Sequence, residues 1–136
     1  MQVQSSQTVK VTTSEDVVAV RQLVRKISLL LGFSIVDQTK IVTAASELAR
    51  NLLDYGGGGT ASLEVVQNGV RTGLRLTFED NGPGIEDINL ALKDGYTSGN
   101  GMGLGLGGAK RLSHEFHIDS APGRGTKVSI VRWKGP

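Results

Sequence analysis

The chain has 136 residues, 38% hydrophobic and 21% charged, with fifteen lysines and arginines against thirteen acids for a formal charge of +2. That size and balance fit one soluble domain, residues 1–136, with a single core, and interspersed charge with only 4% aromatics argues against nucleic-acid binding. No cysteine is present, which excludes disulfides and thiolate metal sites; the start MQVQSSQTVK is too polar for a secretory signal, and the longest apolar run, ISLLLGF, is far too short to cross a bilayer, so no membrane contact and a cytoplasmic location are expected.

QTVKVTT alternates and predicts a strand. TSED then offers hydroxyls followed by acids, a helix start, and Val17, Val20, Val24, Ile27 and Leu31 recur at helical spacing until Gly32. A second helix is expected from Ile35 to Tyr55, with GGGG at 56–59 stopping it. TASLEVVQ and GLRLTFED predict two antiparallel strands joined around Asn68-Gly69. A polar stretch containing GMGLGLGG (101–108) follows; GGAKRLSHEF predicts a third helix, and FHIDSA and TKVSIVRW a closing hairpin around PGRG. The expected architecture is an α/β, two-layer α+β sandwich: a mixed, largely antiparallel sheet of about five strands with about three helices on one face.

Four segments carry candidate chemistry. In SELARNLLDY, Ile41, Ala45, Leu48 and Leu52 form the core stripe, and Glu47 and Asn51 lie one turn apart at its edge, near Ala44 and Tyr55. They read either as a solvated helix face or as a pair aimed into a cleft, with an amide oxygen suited to Mg²⁺ and a carboxylate able to take a proton. In TFEDNGPGI, Asp80 shares strand parity with Leu74, Leu76 and Phe78 and so points inward. A carboxylate there needs donors, from backbone or from a ligand amino group such as adenine's. Gly82 and Gly84 allow close approach, although Asn-Gly and Pro-Gly are also turn signals.

The glycine run GLGLGG matches G-x-G-x-x-G, but no strand precedes it at the right place and Asp119 follows too soon for a dinucleotide fold. A P-loop fails as well, since no Ser or Thr follows Lys110. What remains is a loop of backbone N–H groups leading into AKRL, suited to anions, and a candidate lid over residues 92–106. HEFH, with His114 and His117 three apart, lacks the four-residue spacing of a zinc helix. Thr126 shares parity with Val128 and Ile130, which directs its hydroxyl into the interior that Asp80 enters.

ELARN, DNGPG, GMGLGL and GT occur in that order. The set resembles the N, G1 and G2 boxes of the GHKL (Bergerat-fold) ATP-binding superfamily over residues 8–133, and in particular its stand-alone branch of serine-protein kinases and anti-sigma factors, most like the stressosome switch kinases. The resemblance implies that Glu47 is a general base or water-orienting group and that Asn51 binds Mg²⁺. It implies that Asp80, with Gly82 and Gly84, receives the adenine amino group, that Gly101, Gly103 and Gly105 cover the phosphates, and that Thr126 completes the base site. Related kinases carry a basic residue before the lid glycines; here that place reads TSGN, leaving Lys93 and Lys110 as the nearest cations.

No further domain to use an ATP cycle, and no helix pair bearing a phosphorylatable histidine, is legible in the chain. The implied activity is Mg-ATP-dependent phosphorylation of a Ser or Thr on a STAS-domain antagonist, in a bacterial partner-switching pathway that regulates sigma factors under stress. Activation of a PP2C-type phosphatase by binding goes with it. The alternatives are an anti-sigma factor that sequesters a sigma subunit under nucleotide control, and a catalytic fragment of a sensor histidine kinase; the polar start and WKGP end favour a whole chain over the latter.

Overall fold

The computed structural model describes residues 1–92 and 105–135. Its elements run β1 (Gln2–Val11), α1 (Ser14–Leu30), α2 (Ile35–Asp54), β2 (Gly59–Asn68), β3 (Arg71–Asp80), α3 (Ile88–Ala91), α4 (Gly105–Arg111), β4 (Glu115–Ser120) and β5 (Thr126–Trp133). The strands form one five-stranded sheet in the order β1-β2-β3-β5-β4. Every pairing among the described residues is antiparallel, so the sheet is not mixed.

Local chemistry sets the helix starts. Thr13 caps α1 by accepting from Asp16 N, while the Asp16 carboxylate takes the Thr12 and Thr13 N–H groups, a complete capping box. Ser34 caps α2 by accepting from Asp37 N. Past α1, Gly32 adopts φ +84°, the left-handed turn that lets Phe33 re-enter the core. Val17, Val20, Val24 and Ile27 of α1 are buried, as are Ile41, Ala45, Leu48 and Leu52 of α2. They pack on the inward residues Ala61, Leu63, Leu74, Leu76, Phe78, Val128 and Ile130 of the sheet. Leu31 is only partly buried against this core.

Two boundaries differ by five residues from the sequence reading, others by one or two, and the short α3 is not expected from it. β1 starts five residues earlier than QTVKVTT, because Gln2 to Ser6 pair with β2 up to Gln67, across an irregularity between Val3 and Ser5. The expected helix over GGAKRLSHEF is cut short at Arg111. Ser113 Oγ donates to the Ala109 carbonyl (2.6 Å), the Leu112 carbonyl accepts from Arg132 (2.9 Å), and His114 N donates to Val131 O (2.9 Å), so Glu115 already belongs to the sheet. Tertiary partners thus end the helix where propensity would have continued it.

Candidate functional site

Inward parity and register bring the first group together. Gly59, Asp80, Thr126 and Ser120 stand opposite one another across β2, β3, β5 and β4. Three turns meet at this end of the sheet: residues 56–58 after α2, 81–86 after β3, and 121–125 between β4 and β5. Gly123 N donates to Pro83 O (2.7 Å), which ties the last two. Gly84 (φ +79°) lies so close to Ala121 O that a Cβ would overlap it, and Gly125 (φ +76°) lies as close to Asp80 O. Ser120 Oγ donates to Gly125 O (3.0 Å) and accepts from Ile85 N (2.9 Å) and from Thr126 Oγ1 (2.8 Å), which fixes the Thr126 hydroxyl.

Asp80 is partly buried, and its Oδ1 accepts from Gly82 N at 2.8 Å. The described residues give its Oδ2 no hydrogen-bond donor. That oxygen belongs to a residue lining a cavity of about 430 Å³, whose walls also include Leu48, Asn51 and Tyr55 of α2, Phe78 of β3, Gly84 in the turn, Gly105 of α4, and Thr126 and Val128 of β5. Largely apolar walls with a few convergent polar groups are the usual makeup of a small-ligand site. The structure therefore brings Asn51, Asp80, Gly84, Gly105 and Thr126 to one cavity, with Gly82 holding the carboxylate from behind.

Glu47 is placed differently. It is buried (5% exposed) yet lines a second cavity, of about 330 Å³, on the other flank of α2. Arg21 and Arg25 of α1 and Thr39, Thr43 and Ser46 of α2 line it too. Four residues turn an α-helix by about 40° beyond a full circle, so Glu47 and Asn51 remain neighbours at one edge of α2 although the cavities they line differ. Lys110 is exposed on the last turn of α4 and does not line the first cavity. Gly101, Gly103 and Lys93, and the expected lid apart from its ends, lie outside the described residues. No group of three or more His, Cys, Asp or Glu able to hold a metal occurs among the described residues.

Sequence reasoning did not find Ser120 or Gly56. Ser120 shares parity with Phe116 and Ile118, a signal that was available; Gly56 acts only through a contact between turns. Away from the cavity, Arg132 reaches Asp37 Oδ1 with Nε (3.1 Å) and Nη2 (2.6 Å). That guanidinium holds the Asp37 carboxyl below its ordinary range.

The histidine kinase-, DNA gyrase B- and HSP90-like ATPase family matches residues 36–135. The chain is 45% identical over 125 residues to the serine/threonine-protein kinase RsbT of Bacillus subtilis, covering 92% of this chain and 94% of that one. It is 28% identical over 120 residues to an anti-sigma F factor of Thermoanaerobacter, covering 85% and 83%. Among solved structures, the RsbU and RsbW domains of a Mycobacterium tuberculosis protein superpose with a TM-score of 0.68 at 20% identity, over 98% of this chain; this chain spans about a third (34%) of that one. The SiaB-SiaC complex of Pseudomonas aeruginosa gives a TM-score of 0.53 at 12% identity, over 97% of this chain and 91% of that one. The family match over residues 36–135 and the 45% identity along nearly the whole chain make this protein a member of the histidine kinase-, DNA gyrase B- and HSP90-like ATPase family.

Proposed function

We propose that this protein is an ATP-dependent protein-serine/threonine kinase of a bacterial partner-switching pathway, acting on a STAS-domain antagonist and regulating a PP2C-type phosphatase by binding. What supports the activity is the 45% identity to a serine/threonine-protein kinase along nearly its whole length. The structural observation that carries the site is Asp80: one carboxylate oxygen held by Gly82 N–H, the other without a donor among the described residues, on a residue lining a cavity that Asn51 and Thr126 also line. That oxygen accepts the adenine amino group, and the Thr126 hydroxyl stands opposite to help orient the ring.

Asn51 would hold a magnesium ion through its amide oxygen, a hard donor that suits this ion together with substrate phosphate. When bound it neutralises phosphate charge. Glu47 accepts the proton of the acceptor hydroxyl as that oxygen bonds to the γ-phosphorus and the bond to the bridging oxygen of ADP breaks; most of the rate comes from positioning. Glu47 stands one helical turn before Asn51, so the acceptor hydroxyl meets the γ-phosphate at the edge of α2 that these two residues share. No helix among the described residues is long and apolar enough to cross a membrane, and we place the protein in the cytoplasm. The deciding experiment is transfer of labelled γ-phosphate from ATP to purified STAS proteins. Tight binding of a sigma subunit without any transfer would replace this reading with that of a nucleotide-gated anti-sigma factor.

A further inference from the structure

We propose that Gly56, in the four-glycine turn after α2, is a positioning residue that sets base selectivity by holding the Asp80 carboxylate in place. The inference rests on the adenine role given to Asp80 above. A Cβ at Gly56 would stand 2.5 Å from both Cγ and Oδ2 of Asp80 and 2.7 Å from its Cβ. These are not the loose end of a long side chain: rotation about the first side-chain bond moves Cγ and Oδ2 but not Cβ, so relieving the overlap requires both a turned carboxylate and a backbone shift of the turn or of β3. On the other side, a Cβ at Gly82 would meet Gly56 Cα at 2.8 Å and Gly56 O at 3.0 Å. The carboxylate is therefore seated between two glycines, with Gly82 N–H on Oδ1 and bare Gly56 backbone against Oδ2.

The same turn ties that carboxylate to the far end of the cavity. Gly56 N donates to Asn51 O (3.2 Å), and Gly58 N donates to Leu52 O (2.7 Å). Asn51 and Asp80 both line the cavity, so the turn fixes the distance between the group assigned to the phosphate end and the group assigned to the base. The four glycines are not equivalent. Gly56 has an ordinary backbone φ, and only contact excludes a side chain there. Gly57 has φ +73° and nothing within 4 Å of its added Cβ, so an alanine there strains the backbone without touching Asp80. This difference separates positioning from mere stability.

The test is calorimetric binding of ATP and of inosine triphosphate, which replaces the 6-amino donor with a carbonyl acceptor, to the full chain and its variants. The wild type should prefer ATP. Gly56→Ala should lower the ATP-to-inosine-triphosphate preference about tenfold, the scale of one lost hydrogen bond to a charged group. Gly57→Ala should lower the melting temperature and leave the preference alone. Gly82→Ala presses on Gly56 from the opposite side and should act as Gly56→Ala does, which keeps the test open if the latter fails to fold. In an Asp80→Asn background, Gly56→Ala should produce no further loss of preference. A wild-type preference in folded Gly56→Ala, or an equal loss in Gly57→Ala, overturns the proposal while leaving Asp80 as the base partner. Absence of any preference in the wild type overturns the Asp80 assignment itself, whatever the glycine variants do.

Discussion

Asp80 accepts one hydrogen bond among the described residues and lines the cavity, so its replacement separates shape from charge. Asp80→Asn keeps the volume. If the amide oxygen keeps the Gly82 N–H, the amide NH₂ takes the place of the free oxygen and faces the adenine amino group, donor against donor. ATP affinity should drop about tenfold or more, since a hydrogen bond to a charged group is worth about 1.5–3 kcal/mol. Calorimetry on the folded variant checks this, and an unchanged affinity would remove the adenine role. Strand parity made Asp80 and Thr126 legible in the sequence, because alternation alone sends both inward and the register then sets them opposite each other. Ser120, which fixes the Thr126 hydroxyl, was legible by the same rule. Gly56 was not: its role depends on the Asp80 turn folding back on the end of α2, which no local pattern encodes. The flank taken by Glu47 depends likewise on how α2 rolls against α1.

At the level of elements, spacing and capping residues specify α1 and α2, and sequence reading placed them well for that reason. Thr13→Ala removes the side-chain half of the α1 capping box and should cost about 1 kcal/mol in a denaturant titration. The end of α4 was not legible, because Arg132 from β5 sets it by gathering the Leu112 carbonyl and Asp37 at the start of α2. Arg132→Met leaves the partly buried Asp37 without its partner and should destabilise the fold by about 1–3 kcal/mol, measured by the same titration. The neighbouring His114 adds a pH dependence. Although the residue is exposed, its Nδ1 accepts the Trp133 N–H (2.8 Å), and partial desolvation followed by the nearby Arg132 charge holds its pKa below the ordinary histidine value. The unfolded chain therefore binds the proton more readily. This contribution is complete above about pH 6.5 and is lost as pH falls through the lowered folded value. Asp37, also lowered, gives way only in stronger acid, below its ordinary value of 3.8. Melting temperature should decline from pH 7 toward about pH 5, and His114→Asn, whose amide oxygen can still accept the Trp133 N–H, should flatten that decline. An equal decline in the variant would show that another group titrates.

For the whole molecule, α2 is the partition between two cavities: Asn51 lines the one shared with Asp80 and Thr126, and Glu47 lines the one shared with Arg21 and Arg25 of α1. Attacking and leaving oxygens must stand in line on one phosphorus, so the reaction belongs at the edge of α2 where Glu47 and Asn51 are neighbours, not across the helix. The two residues, one helical turn apart, should therefore fail differently. Asn51→Ala should weaken magnesium-dependent ATP binding and slow phosphoryl transfer together. Glu47→Gln keeps the size of a buried side chain and should leave ATP binding and partner binding nearly intact while transfer falls about a hundredfold or more, the usual contribution of a positioned base. The measurement pairs single-turnover transfer of labelled γ-phosphate to a STAS protein with calorimetry of ATP and of the same protein. If Glu47→Gln weakens ATP binding as much as Asn51→Ala does, the two residues serve nucleotide binding together and the separation of base from metal ligand is wrong. If its transfer rate matches the wild type, the kinase assignment stands but Glu47 is not the base, and the rate then comes from positioning in the Asp80 cavity and from phosphate charge neutralisation at Asn51.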